Sequence, residues 1–278
     1  MRKNFVRSVT ACFIAVCIVM GCKKDENQYY SSISSITISL ENGTYWDEFI
    51  DWVYASIGKD DGNDNWFLEK VAESEYFADG FTIDLPESVD NLFLYPIWDE
   101  KETEDWIKIS DKTTLATRSL LLLGHDSNNE LKGRFYHEKG SEEGDHFQNS
   151  YSHASTEYFY VNKDVTIKGS FSKDSIYKYY NLNYNVKINQ SADISMKKGW
   201  NIIYFTTEIN LNKRGNDVTG TITTKTSTQN PGGLKWYFER LSVAKSNHQA
   251  DISEFSKKIN LYMSDSLLNV KIKEFEKE

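Results

Sequence analysis

Apolar and polar residues alternate with a period of two along most of this chain. Ile36-Thr37-Ile38-Ser39-Leu40 is the first clear case, closed by the turn residues Glu41-Asn42-Gly43-Thr44. Successive strand side chains point to opposite faces, so the pattern predicts a half-buried strand. Between 49 and 57, Phe49, Asp51, Val53, Ala55 and Ile57 fall on one face, with Ile50, Trp52, Tyr54 and Ser56 on the other. Their β-branched and aromatic character favours strand over helix. A run at 66–78 leads to Asp79-Gly80, a hairpin signal, and then to Phe81-Thr82-Ile83-Asp84-Leu85-Pro86. Further strands are predicted at 118–124, 131–137, 156–161, 165–171, 177–188, 200–211, 218–226 and 234–241. Short strands punctuated by Gly, Asn, Asp and Ser predict a sandwich or barrel.

The period breaks at both ends. Beyond Asp251, the residues Ile252, Phe255, Ile259, Tyr262 or Met263, Leu267 and Val270 recur every three or four positions, with Lys, Glu, Ser and Asp between them. That stripe predicts an amphipathic helical tail over 246–278, packed on the sandwich. At the other end, Arg2, Lys3 and Arg7 precede an uncharged, mostly apolar run of 12 residues from Val9 to Met20. A membrane-spanning helix needs about 20 apolar residues, so a basic head with so short a centre reads as a secretory signal peptide.

Val19-Met20-Gly21-Cys22 closes that run and resembles the lipobox of bacterial lipoproteins, with Met20 where a small residue is usual. The resemblance implies cleavage after Gly21, leaving 1–21 as signal peptide and Cys22 as a lipidated N-terminus. Two or more acyl chains give stable membrane anchoring where one does not. Lys23-Lys24-Asp25-Glu26 is similar to the export signal of Bacteroidetes lipoproteins, which implies an outer-membrane, surface-exposed location. Residues 22–35 are polar and read as a tether. The implied partners are the membrane, through its lipid, and the processing and export machinery.

Removing 1–21 takes away three positive charges and moves the formal charge from −9 to −12. Phosphate binding needs clustered Lys and Arg, so this balance argues against nucleic acid and against a polybasic membrane contact. Cys12 and Cys17 leave with the signal peptide and Cys22 is consumed by lipid, so disulfides and cysteine metal ligands are excluded from the mature chain. The 39 aromatic residues of the full sequence suit pleated, half-buried surfaces.

Ile50-Asp51-Trp52-Val53-Tyr54-Ala55, Gly80 to Glu87 and Leu94-Tyr95-Pro96-Ile97 together resemble the N-terminal module of uncharacterised Bacteroidetes lipoproteins. Met196 to Tyr204 and Lys235-Trp236-Tyr237-Phe238 resemble their C-terminal halves, where the Lys-Lys-Gly-Trp-Asn segment enters a strand through a tight turn. The resemblance implies an all-β fold of two sandwiches: a transthyretin-like one at 36–108 and a second at 109–245. The acidic run from Trp98 to Trp106 would cross between them.

Chemistry is harder to find. There is no Gly-x-Ser-x-Gly elbow, phosphate-cradling glycine loop or His-Glu-x-x-His pair, and the chain is read as a non-enzyme without a cofactor. Lys59 to Asn65 invites a calcium reading but lacks the sixth-position glycine and twelfth-position glutamate of an EF-hand loop, so it reads as a strand connection. His125, His137, His146 and His153 lie near Glu138, Glu142, Glu143 and Asp145, and a zinc site is one reading. The Gly, Ser, Asn and Glu of 138–152 favour an exposed connection with incidental histidines instead. Glycan or host-ligand binding is the leading function, with Trp46, Trp66, Trp98 and Trp106 as candidate stacking platforms against core packing. A polysaccharide-degrading or other hydrolytic enzyme and a fimbria-like subunit are the alternatives. Asp174-Ser175-Ile176 and Asp265-Ser266-Leu267 resemble a short O-glycosylation motif, a pattern that chance alone supplies in a chain of this length.

Overall fold

Period-two patterning becomes strand nearly everywhere it occurs. The computed structural model describes residues 32–41, 43–60, 66–77, 80–97, 105–143, 150–179 and 181–241. The signal peptide, Cys22, the charges at Lys23 to Glu26, Trp98 and the tail at 246–278 lie outside the described residues. The described residues are all-β. The strands are β1 (Ser35–Ser39), β2 (Trp52–Asp60), β3 (Trp66–Glu75), β4 (Gly80–Asp84), β5 (Tyr95–Pro96), β6 (Ile107–Ile109), β7 (Leu115–Ala116) and β8 (Leu121–His125). They continue as β9 (Leu131–Glu143), β10 (Ser150–Val161), β11 (Val165–Tyr179), β12 (Leu182–Met196), β13 (Gly199–Arg214), β14 (Asp217–Ser227) and β15 (Lys235–Arg240).

Two expectations shift in detail. Residues 49–51 are not strand: a 3-10 turn at Gly43–Tyr45 and a bend through Phe49 precede β2, held by Phe49 and Ile50 N–H groups donating to the Trp46 carbonyl. β9, β10 and β11 are also far longer than the strands predicted at 131–137, 156–161 and 165–171, with 13, 12 and 15 residues. The strand predicted at 177–188 runs across the turn between β11 and β12. The outer halves of β11 to β14 are rich in Ser, Thr, Asn and Lys but keep one apolar face, on which register brings together Val186, Ile188 and Val218, all buried. Ladder hydrogen bonds hold these arms together along their length.

β1 and β4 form a two-stranded sheet. The other strands join a 13-stranded sheet whose main path runs β3-β2-β8-β9-β10-β13-β14-β12-β11-β6. Because β2 pairs with β8 and β5 with β7, this sheet passes through both the 36–108 and the 109–245 segments. Pairing is antiparallel except between β12 and β14, which run parallel. There the β11–β12 and β13–β14 hairpins meet side by side.

Apolar residues gather on both faces of the large sheet. The first core holds Ile36 and Ile38 of β1, Phe81 and Ile83 of β4, Val53 and Ile57 of β2, Phe135, Tyr158, Tyr160 and Trp200. The second holds Ile107, Phe159, Val161, Val165, Ile167, Ile194, Met196 and Ile203. β10 and β13 therefore serve both cores in alternation: Tyr158 and Tyr160 face one way, Phe159 and Val161 the other. Trp200, 2 % exposed, donates its Nε1–H to the Pro86 carbonyl at 2.9 Å and meets Tyr160 edge to face.

The turn before Trp200 is tight. Gly199 has φ +111°, a conformation that L side chains rarely adopt. Buried Asn201 clamps it, accepting from the Lys197 N–H and donating to the Lys197 and Gly199 carbonyls. Asp164 closes the outside, accepting from the Lys197 ammonium and the Lys198 N–H. Chain pairing begins slightly before the tether was expected to end, with the Ile33 N–H donating to the Trp200 carbonyl.

Candidate functional site

β9 changes partners along its length. Its first half pairs with β8 on one edge and with β15 on the other, while its second half pairs with β10 from Glu138–Ser155 to Glu143–Ser150. Beyond Ser155, β10 leaves β9 and takes up the segment before β8. There the Leu120 N–H donates to the Tyr158 carbonyl and the Thr117 N–H to the Tyr160 carbonyl. The two strands part, and a cleft of about 510 Å³ opens at the fork. That volume is of the size that takes small ligands.

Strand alternation sorts the lining into two sets. Arg134, Tyr136 and Glu138 of β9 share a face with His153, Ser155 and Glu157 of β10. His137, Thr156, Tyr158 and Trp236 belong to the opposite face, that of the first core.

On the first face the groups are polar and paired. Arg134 Nε donates to Glu239 at 2.7 Å and its guanidinium lies 5.7 Å from the Tyr136 ring centre. Tyr136 is backed by Tyr237 in a stack at 5.5 Å. Burial raises the Tyr136 hydroxyl above its ordinary pKa, with Glu138 and Glu239 adding to the effect, so it stays a neutral donor and acceptor. His153 Nε2 lies 3.2 Å from Glu138.

The second face is aromatic. Trp236 stacks on His137 at 4.6 Å and 10° between planes, and lies nearly parallel to Tyr158 at 6.4 Å. Burial lowers the His137 pKa, and its hydrogen bond with the Leu234 backbone works weakly the other way. Its Nδ1 is 3.1 Å from the Thr156 hydroxyl. A neutral imidazole, with one donor and one acceptor nitrogen, suits these two partners.

Within the histidine-rich segment, 138–143 and 150–152 are strand rather than connection, and 144–149 lie outside the described residues. Composition misled here: Gly, Ser and Glu discourage strand only weakly when the ladder is formed by a long hairpin. His137 and His153 sit on opposite faces, and His125 stacks on Tyr54 at 4.3 Å. Among the described residues no three His, Cys, Asp or Glu converge as metal ligands. His146 and Asp145 lie outside the description.

Of the tryptophans singled out from sequence, Trp46 packs on the first core, edge to face with Phe238 at 4.9 Å. Trp106 packs on the second core and stacks with Phe171 at 6.3 Å. The two are not brought together. Trp66 opens β3, and its side chain is outside the described set. Phe135, Tyr136, Tyr158 and Trp236 line the cleft, and sequence reasoning placed them on strands without a site. Only the fork between β9 and β10 brings them together, and a fork leaves no sequence signal. No family model, curated protein or solved structure matches this chain.

Proposed function

We propose that this chain is a lipoprotein anchored in the outer membrane through Cys22, exposed at the cell surface, that binds a glycan in the β9–β10 cleft. The observation that carries the reading is the cleft's construction. Aromatic rings from three strands stand beside hydroxyl, carboxylate and guanidinium groups in one concave site. Sugars offer the matching chemistry, since their C–H faces lie on aromatic rings and their hydroxyls need both donors and acceptors. The long hairpins beyond the cleft raise no objection, because a surface receptor needs a rigid frame more than a reactive centre.

The test is calorimetric titration of the protein against a panel of oligosaccharides. At least one should bind, and Tyr136→Ala should weaken it about tenfold, or about 1.4 kcal/mol, with the melting temperature little changed. Binding that ignores Tyr136→Ala would remove the cleft from the account. A panel without binding would remove the glycan.

A further inference from the structure

We infer that the cleft, if it takes a glycan as proposed above, takes an amine-bearing saccharide in preference to a neutral or acidic one. The inference rests on that reading and extends it to the charge of the ligand. Three carboxylates line the cleft, Glu138, Glu157 and Glu239, against one guanidinium, Arg134. With histidines counted neutral, three negative charges and one positive leave −2. Arg134 is already engaged by Glu239 at 2.7 Å, so the one guanidinium in the lining faces a carboxylate of the protein before any ligand arrives. His137, on the opposite wall, is held neutral by burial and adds no positive charge.

Position matters as much as sum. Register places Glu138 opposite Ser155, so Glu138 on β9 and Glu157 on β10 share a face across the mouth of the fork. Beyond that pair the strands separate, and no ladder hydrogen bond fills the gap between them. Carboxylates on both banks of a concave, partly dry site attract a cation more strongly than the same charges on open surface. An ammonium is also a three-donor group, which matches acceptor-only carboxylates. A uronic acid would bring a third carboxylate between these two. Tyr136 and Trp236 meanwhile give the lining apolar surface, which a bare inorganic cation would not use.

Short β-linked glucosamine oligomers and their N-acetylated counterparts make the comparison, since they share linkage and ring and differ in the charged amine. An oligogalacturonate serves as the acidic probe. Titration of the whole protein should give the glucosamine oligomer about tenfold tighter binding than the acetylated one, with no binding of the oligouronate. Rising salt should weaken the first and leave the second nearly unchanged. Glu157→Gln should bring the two affinities together, and Glu138→Gln is the second variant that keeps the test open if the first lowers the melting temperature. Equal or tighter binding of the acetylated oligomer overturns the inference. So does a glucosamine affinity insensitive to Glu157→Gln. If a neutral saccharide alone binds, and does so through Tyr136, the amine preference falls while the cleft reading stands. If no saccharide of any charge binds, both fall.

Discussion

His137 carries a consequence that can be measured without a ligand. Its pKa in the folded chain lies below the ordinary 6.5, with burial as the main cause. In the unfolded chain it takes up a proton near 6.5 as the pH falls, while in the folded chain it resists. The unfolded state then holds more protons, so stability declines as pH drops through that window and levels off below the folded value. His125, also lowered chiefly by burial, acts with the same sign. The urea midpoint is therefore expected to fall as the pH drops below about 6.5. His137→Gln should reduce that slope and leave the share due to His125. A midpoint that rises on acidification in this range contradicts the assignment. At this scale the sequence showed residue types but not their surroundings. Trp46, Trp106 and Trp236 look alike as letters; all three pack on a core, and only the fold shows that Trp236 also walls a cleft.

Among the elements, β15 holds the cleft together from outside. It pairs only with β9, and its register sets Trp236 opposite His137 and Phe238 opposite Phe135. Phe238 fits because two glycines, Gly124 and Gly133, face each other across β8 and β9. A Cβ at Gly133 would stand 2.2 Å from the Glu239 carbonyl oxygen and 2.6 Å from the Phe238 ring. Gly133→Ala should therefore push β15 away, costing about 1–3 kcal/mol by overpacking. It should also weaken ligand binding, since Trp236 moves with the strand. Native-like stability and binding in that variant would show that β15 is not a wall of the site. Strands such as Ser35–Ser39 and Gly80–Asp84 were legible from alternation, because each has one buried face. The outer half of β9 was not, as its residues Glu138 to Glu143 answer to a partner strand rather than to a core. Pairing is a long-range fact, and no local pattern could say that β9 would leave β8 for β10.

Across the described molecule, β10 and β13 make the two cores one cooperative system. Trp200 of β13 lies in the first core and Ile203, three residues on, in the second. A strand cannot unfold on one face and stay folded on the other. Trp200→Ala and Ile203→Ala should each cost about 2–5 kcal/mol and lower the same single thermal transition. Two separate transitions, each moved by one variant, would mean that the cores fold independently. The anchor is tested in cells: alkyne-palmitate should label the wild type and not Cys22→Ser. Added proteinase should digest the wild type and spare a still-lipidated chain carrying Lys24→Ala, Asp25→Ala and Glu26→Ala. Equal protection of both would place the protein, and any ligand it binds, in the periplasm.

The central claim is that the fork between β9 and β10 is where a ligand sits. Hydrogen exchange followed by mass spectrometry, with and without the tightest oligosaccharide, reads that location directly. Protection is expected at Ser119 to Leu122, Arg134 to Glu138 and Ser155 to Tyr158, the segments that line the cleft. The outer arms of β11 to β14 should exchange as before. Protection confined to those arms, with the fork unchanged, would contradict the account.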